Sequence, residues 1–371
     1  MDVLKLVRED KWALYSDKRY RYLKPEINQQ LNNYFNRIPQ NELFEDSRQL
    51  IDRIIANDLR VVGIPSPIKC FFSITNQCNL SCVHCFTDSG IRLQNELNLE
   101  KLLDLIGELY SLGVMDISLT GGEPLVSPHL FEVLAAMDSY SMSVSLTTNG
   151  SLLTSATTAK LLSKHLKSLT ISVDSLKDDR IRKKLDIQKL KSNIVYLTDY
   201  VEAGQIDTEI SLRMSVNQLN FNEIEEIYSF CEAKRIRKLK INNTNSLGRA
   251  SNVKEILISE EDFRRRVSEF LDNFSMGMCK LEIPIEKYIA TDKVLGRCTS
   301  GIDTFNISPN GLVEPCGFTN GLLAMGNLYE HSLEHIFVNR YFSHENTHCS
   351  KCKMNIYTSQ HSLTRQNSAY T

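Results

Sequence analysis

The sequence predicts an α/β fold in which six β–α rounds build a parallel sheet or partial barrel between about residues 69 and 274. Three observations predict it. Short apolar runs alternate with longer amphipathic stretches, the pattern of repeated β–α crossovers. Turn-forming and polar residues collect just after the apolar runs, and folds of this kind bind ligands at the C-terminal ends of their strands. With 371 residues, 42% hydrophobic and 24% charged, the chain suffices for one large folded domain with smaller attachments.

Taken in order, the rounds pair a strand at 70–75 with a helix at 99–112, 115–119 with 128–137, and 144–147 with 154–165. They continue with 168–173 and 179–200, 207–216 and 222–233, then 238–242 and, after a longer loop, 260–274. Ahead of them, residues 1–62 read as a separate α+β unit with strands at 2–7 and 12–15 and helices at 26–36 and 46–56. Pro25 is a helix-start signal, and Pro65 and Pro67 mark a linker into the first strand of the rounds.

Composition excludes several classes of function. The formal net charge is -2, so no bulk attraction to nucleic acid or to an anionic membrane is expected. The basic clusters at 234–238 and 264–266 lie in helical-looking stretches flanked by acids and read as solvated faces. The charged start and the lack of a long apolar run predict neither a signal peptide nor a spanning helix, which places the protein in the cytoplasm. Ten cysteines in that compartment argue against a disulfide framework, and seven of them have spacings that suit metal.

The first three, Cys78, Cys82 and Cys85, are spaced C-x-x-x-C-x-x-C on one loop after the first strand. Three thiolates can hold three corners of a cubane iron–sulfur cluster and leave one iron open. A zinc site is the alternative, with His84 as a conceivable fourth ligand, although zinc usually takes four ligands from C-x-x-C pairs. The spacing, with Phe86 beside the last cysteine, resembles the signature loop of the radical S-adenosylmethionine (radical SAM) enzymes. In that family the open iron chelates the amino and carboxylate groups of SAM. An electron from the cluster then cleaves SAM to methionine and a 5′-deoxyadenosyl radical that abstracts a substrate hydrogen.

The residues after the later strands extend the resemblance. Gly121, Gly122, Glu123 and Pro124 form a GGEP turn similar to the family motif that holds the amino group of SAM. A Gly-Gly pair also allows close backbone approach, and a carboxylate accepts from an ammonium. Thr148 and Asn149 end the third strand, and Ser172 and Asp174 end the fourth. The resemblance points Ser172 or Asp174 toward the ribose, while Asn149–Gly150 also reads as a plain turn. Asp174 is in addition the candidate base for an oxidation. Arg213 is a cation in an apolar strand, costly unless paired. The carboxylate of SAM or a core acid would pair it. Gly248 lies in a GRA sequence that resembles a loop of peptide-modifying members, where it would approach the adenosine.

A second group of cysteines lies near the C-terminus: Cys298, then Cys316 after a hairpin turning at Pro309, Asn310 and Gly311, then Cys349 and Cys352. Four such ligands suit zinc or an iron–sulfur cluster alike. The pattern resembles the twitch module of radical SAM enzymes, a shorter relative of the SPASM module, and implies one auxiliary [4Fe–4S] cluster. Cys231 and Cys279 are hydrogen-atom donor candidates or, alternatively, buried structural thiols.

These readings divide the chain into an N-terminal extension (1–62), a partial (β/α)6 barrel (68–283) and a twitch-type domain (284–371). The extension resembles the winged-helix element with which peptide-modifying enzymes hold a leader peptide, and it reads equally as a cap on the barrel. The expected function is hydrogen abstraction from a ribosomally made precursor peptide, leading to its cross-linking, epimerisation or oxidation. An external donor such as flavodoxin or ferredoxin would supply electrons. A radical SAM dehydrogenase of small molecules and a non-catalytic zinc-binding interaction protein are the alternatives.

Overall fold

The computed structural model describes the backbone of residues 3–8, 11–16 and 19–22. It further describes residues 67–283 apart from 68, 115, 165, 205, 275 and 276, and residues 301–337 apart from 302, 303 and 320–323. The first three strands, β1 (Val3–Arg8), β2 (Lys11–Ser16) and β3 (Arg19–Tyr22), form an antiparallel sheet in that order. Two of them match the expected strands, and the third is additional to them. The helices expected at 26–36 and 46–56 lie outside the described residues.

The central sheet arises from strict alternation of apolar and polar side chains. β4 (Lys69–Ser73) buries Cys70 and Phe72, β6 (Asp116–Thr120) buries Ile117 and Leu119, and β7 (Ser143–Thr148) buries Val144 and Leu146. β8 (Leu166–Ser172), β10 (Glu209–Val216) and β11 (Lys238–Asn243) continue the series in parallel, each beside its predecessor.

The apolar face packs against the crossover helices. In α1 (Leu99–Ser111), Leu102, Leu105, Ile106 and Leu109 recur at helical spacing and are buried, and the Asn98 side chain caps the first turn by accepting from the Lys101 amide at 2.9 Å. α2 (Leu130–Ser139), α3 (Ser155–Leu162), α4 (Ile187–Gly204), α5 (Ile224–Ala233) and α6 (Glu260–Asn273) complete the expected six. No helix among the described residues is long and apolar enough to cross a membrane.

Two departures from the expected elements shape the site. The fourth helix starts at Ile187, because the preceding segment holds a short strand, β9 (Arg182–Lys183), paired antiparallel with β5 (Ser81–Cys82) in the cysteine loop. The C-terminal hairpin also continues the central sheet. Its first strand, β13 (Thr304–Ile307), lies parallel beside β4 with Thr304 opposite Lys69, and β14 (Leu312–Glu314) and β15 (Gly326–Asn327) follow antiparallel. β12 (Lys280–Glu282) forms the opposite edge of this ten-stranded sheet.

Candidate functional site

The cysteine loop is closed by its own backbone and held from several sides. The Cys78 amide donates to the Gly90 carbonyl (2.9 Å) and the Gly90 amide to the Asn76 carbonyl (3.0 Å). Buried Glu96 accepts from the Thr75 hydroxyl (2.9 Å) and the Asn76 amide (2.7 Å), fixing the strand exit. Each thiol sulfur faces its own donor: the Leu80 amide at 3.5 Å from Cys78, the Ser89 amide at 3.3 Å from Cys85, and Arg182 Nη1 at 3.9 Å from Cys82. Burial pushes the Cys78 thiol up and the Cys82 thiol up to about 11. Sulfurs that are half-buried at Cys78 and Cys85, buried at Cys82 and each faced by an N–H donor are well placed as ligands of an anionic cluster. The described residues contain no group of three or more His, Cys, Asp or Glu side chains set for a single metal ion. His84 Nε2 turns away from the thiols to Asp174 Oδ2 at 3.0 Å.

The GGEP turn docks onto this loop. The Gly122 amide donates to the Thr75 carbonyl (2.7 Å) and the Glu123 amide to the Gln77 carbonyl (2.9 Å). A β-carbon on Gly121 would lie 2.6 Å from the Thr75 carbonyl oxygen, and one on Gly122 would overlap the carbonyls of Asn76 and Gln77. The close approach that requires glycine here is therefore to the loop backbone. Glu123 is fully buried and accepts from the Thr148 hydroxyl (2.7 Å), the Asn149 amide (2.6 Å) and the Leu125 amide (3.1 Å). The carboxylate joins the ends of β6 and β7. Burial raises its pKa despite those donors. Pro124 is buried at the start of the single turn at 124–126.

Thr148 and Asn149 sit where the chain turns out of β7. Thr148 Oγ1 accepts from the Gly150 amide (3.1 Å), and the Asn149 side chain donates to Asn79 Oδ1 (2.9 Å) and accepts from the Ser151 amide (2.9 Å). Both side chains are spent on backbone and loop.

Asp174 is 1% exposed. Its Oδ2 lies 2.5 Å from Arg182 Nε and 3.0 Å from His84 Nε2, and its Oδ1 accepts from the Ser215 amide at 2.7 Å. Burial alone would raise its pKa, but Arg182 and His84 outweigh burial and hold the carboxyl well below the usual range. A carboxylate stabilised in this way is a weak base. Asp174 with Arg182 forms an ion pair that locks the segment after β8 onto the cysteine loop.

Ser172 and Arg213 differ from these. They are register partners on β8 and β10, on the face turned away from the helices, and Arg213 is paired with Lys240 on β11. That face also carries Thr170 and Ser211, whose hydroxyls lie 2.9 Å apart, with Lys240 Nζ 3.3 Å from Thr170 Oγ1. Arg213 Nε is buried without a partner among the described residues, and burial lowers the guanidinium pKa. A buried cation of this kind fits a carboxylate ligand.

Gly248 adopts φ +55, and a β-carbon there would overlap the carbonyl oxygens of Cys85 and Phe86. The GRA segment thus clasps the cysteine loop. Arg249, absent from the sequence-derived set, completes the clasp by donating to the Cys82 carbonyl and to Asp88 Oδ1, both at 2.8 Å.

Phe86 meets Phe318 edge-to-face at 5.3 Å between ring centroids. Phe318 follows Cys316 by two residues, so the second cysteine segment abuts the first loop. Cys298, Cys349 and Cys352 lie outside the described residues. Cys231 and Cys279 are buried against one another in the core, the placement of structural thiols.

Comparison with known proteins follows the same division. The profile of the Radical SAM superfamily matches residues 72–231, and that of an iron–sulfur cluster-binding domain, SPASM, matches residues 298–353. The antilisterial bacteriocin subtilosin biosynthesis protein AlbA of Bacillus subtilis is 27% identical over 74% of this chain and 60% of its own length. The sporulation killing factor maturation protein SkfB of the same organism is 27% identical over 73% of this chain and 64% of its own length. The chain therefore spans less than two thirds of the length of these relatives. Among solved structures, Streptococcus suis SuiB bound to precursor peptide SuiA shares the fold with a TM-score of 0.64 at 13% identity, covering 91% of this chain and 88% of that one.

Proposed function

Because this chain carries a radical SAM domain followed by an iron–sulfur domain of the SPASM type, we propose that it is a peptide-modifying enzyme that abstracts a hydrogen atom from a ribosomally made precursor. Its cofactors are a [4Fe–4S] cluster, SAM and an auxiliary iron–sulfur cluster. When bound, the first cluster and SAM supply a one-electron cleavage that yields the abstracting radical. Cys78, Cys82 and Cys85 would hold three corners of that cluster, and Cys316 with Cys298, Cys349 and Cys352 would hold the auxiliary one.

The observation that carries the reading is the Phe86–Phe318 contact, which seats the Cys316 segment against the first cysteine loop. A redox group held by the Cys316 segment would suit an oxidative outcome, since it would supply an electron acceptor. The relatives named for bacteriocin and killing-factor maturation support a peptide substrate. The substrate side chain would enter along the polar sheet face of Thr170, Ser172 and Ser211. Ser172 would border the ribose, and Arg213 would bind the carboxylate of SAM.

Replacing Arg213 by methionine is expected to weaken SAM binding about 10- to 100-fold, the worth of a charge-assisted hydrogen bond. The cofactor-free fold should lose little stability, since the guanidinium removed is half-buried and its Nε has no hydrogen-bond partner among the described residues. Equilibrium dialysis of SAM with the anaerobically reconstituted enzyme measures this, and unchanged affinity would remove Arg213 from the site.

The antiparallel sheet β1–β2–β3 has two edges, and strand addition at one of them would hold a leader peptide. The test is to delete residues 1–62 and follow modification of the precursor by mass spectrometry beside 5′-deoxyadenosine release. The expected result is loss of peptide modification with uncoupled SAM cleavage retained. Undiminished modification by the truncated enzyme would refute leader recognition.

A further inference from the structure

Arg182 has no role in the reading above, yet its placement is unusual. It lies on β9, directly opposite Cys82 on β5. Its guanidinium is divided between two partners: Nε lies 2.5 Å from Asp174 Oδ2, and Nη1 lies 3.9 Å from Cys82 Sγ. The Arg182 side chain is 12% exposed and that of Asp174 is fully buried. Burying such a pair costs desolvation that hydrophobic packing would avoid, so stability alone is a weak reason for it. The pair is also oriented, with its anionic end held by the Ser215 amide and His84 and its cationic end directed at the cysteine sulfur.

We propose that Arg182 is a positioning residue that raises the reduction potential of the cluster bound through Cys82. Asp174 and His84 fix the direction of its guanidinium. The inference rests on the reading that Cys78, Cys82 and Cys85 hold a cluster. Reduction adds one electron from a low-potential one-electron protein donor and changes no bond or proton. The extra negative charge spreads onto the cysteine sulfurs, where an N–H donor and a fixed cation stabilise the reduced form more than the oxidised form. Arginine suits the position because its planar fork serves a carboxylate and a sulfur at once, a geometry that lysine does not provide.

The test uses the full-length protein, reconstituted anaerobically, as wild type, Arg182→Gln and Arg182→Lys. Iron and sulfide are counted first, and the SAM-responsive EPR signal of the reduced cluster is then titrated against potential. In Arg182→Gln the ratio of reduced to oxidised cluster at fixed potential should fall at least tenfold, which is about 59 mV for a one-electron couple. Arg182→Lys should shift the same way by less, because it keeps the charge and loses the fork. An unchanged midpoint in Arg182→Gln at wild-type iron content overturns the proposal. If that variant assembles no cluster, Arg182→Lys decides by the same criterion. Failure of both to assemble a cluster in a natively folded protein also overturns it, because Arg182 would then be needed for assembly. A wild type that binds no iron at Cys78, Cys82 and Cys85 refutes the cluster reading instead.

Discussion

Replacing Asp174 by asparagine is expected to destabilise the protein by about 3–5 kcal/mol, the usual cost of removing one partner from a buried ion pair. Asparagine keeps the size of the side chain and can still accept from the Ser215 amide, which donates at 2.7 Å to Asp174 Oδ1. It leaves the buried Arg182 guanidinium without its counter-charge. The segment after β8 is tied to the cysteine loop by that pair, by Cys82 opposite Arg182, and by the Val83 amide donating to the Ile181 carbonyl at 2.9 Å. Losing the pair should therefore also loosen the loop and lower the iron retained at Cys78, Cys82 and Cys85.

The same carboxylate predicts a pH dependence. Its pKa in the folded protein lies below its ordinary value of 3.8, so the unfolded chain binds the proton more readily than the folded one. The stabilisation is fully present above that ordinary value and is lost as pH falls toward the folded one. Denaturant melts of the metal-free protein carried from neutral pH to below 3.8 should show the wild-type advantage over Asp174→Asn held down to that value and shrinking below it. Parallel curves at every pH would contradict the ion-pair account.

Replacing Gly122 by alanine is the second large effect. The new methyl group would overlap the carbonyl oxygens of Asn76 and Gln77, which are backbone atoms and cannot rotate aside. The Glu123 amide donates to the Gln77 carbonyl at 2.9 Å, so moving the turn also breaks the bond that seats it. Backbone overlap of this kind should cost several kcal/mol, in the range of overpacked cores and strained backbones, about 1–3 kcal/mol for each element displaced. The expected outcome is near-complete loss of the loop cluster after reconstitution, with far-ultraviolet circular dichroism retained. Full iron content in Gly122→Ala would show that the loop tolerates displacement.

The order of the central strands was legible because each is a run of alternating residues long enough to show its period. The three-cysteine loop was legible because its spacing is local. What escaped the sequence is non-local. β5 and β9 are two residues each, too short to carry a period, and they pair across about a hundred residues of chain. Arg182 therefore read as one more charge in a helix expected to begin at 179. Glu96 and Arg249 were missed for the same reason, since nothing local separates a buried acid or a loop arginine from a solvated one. Asp174 and Glu123 stand at strand ends where ligands often bind, and here both carboxylates are buried among groups from neighbouring loops, which no local signal foretells. Gly248 stood in a motif read as approaching a ligand, and the atoms it approaches are the carbonyls of the cysteine loop. Arg213 stood out as a cation in an apolar strand, and its buried, unpartnered Nε is the feature that keeps it a candidate.

The most direct test of the whole account is to measure iron and acid-labile sulfide in the anaerobically reconstituted protein and in its Cys78, Cys82, Cys85→Ala variant. Two [4Fe–4S] clusters predict about eight irons in the wild type and about four in the variant. About four irons in the wild type and almost none in the variant would leave the C-terminal cysteines without a cluster and contradict the two-cluster account.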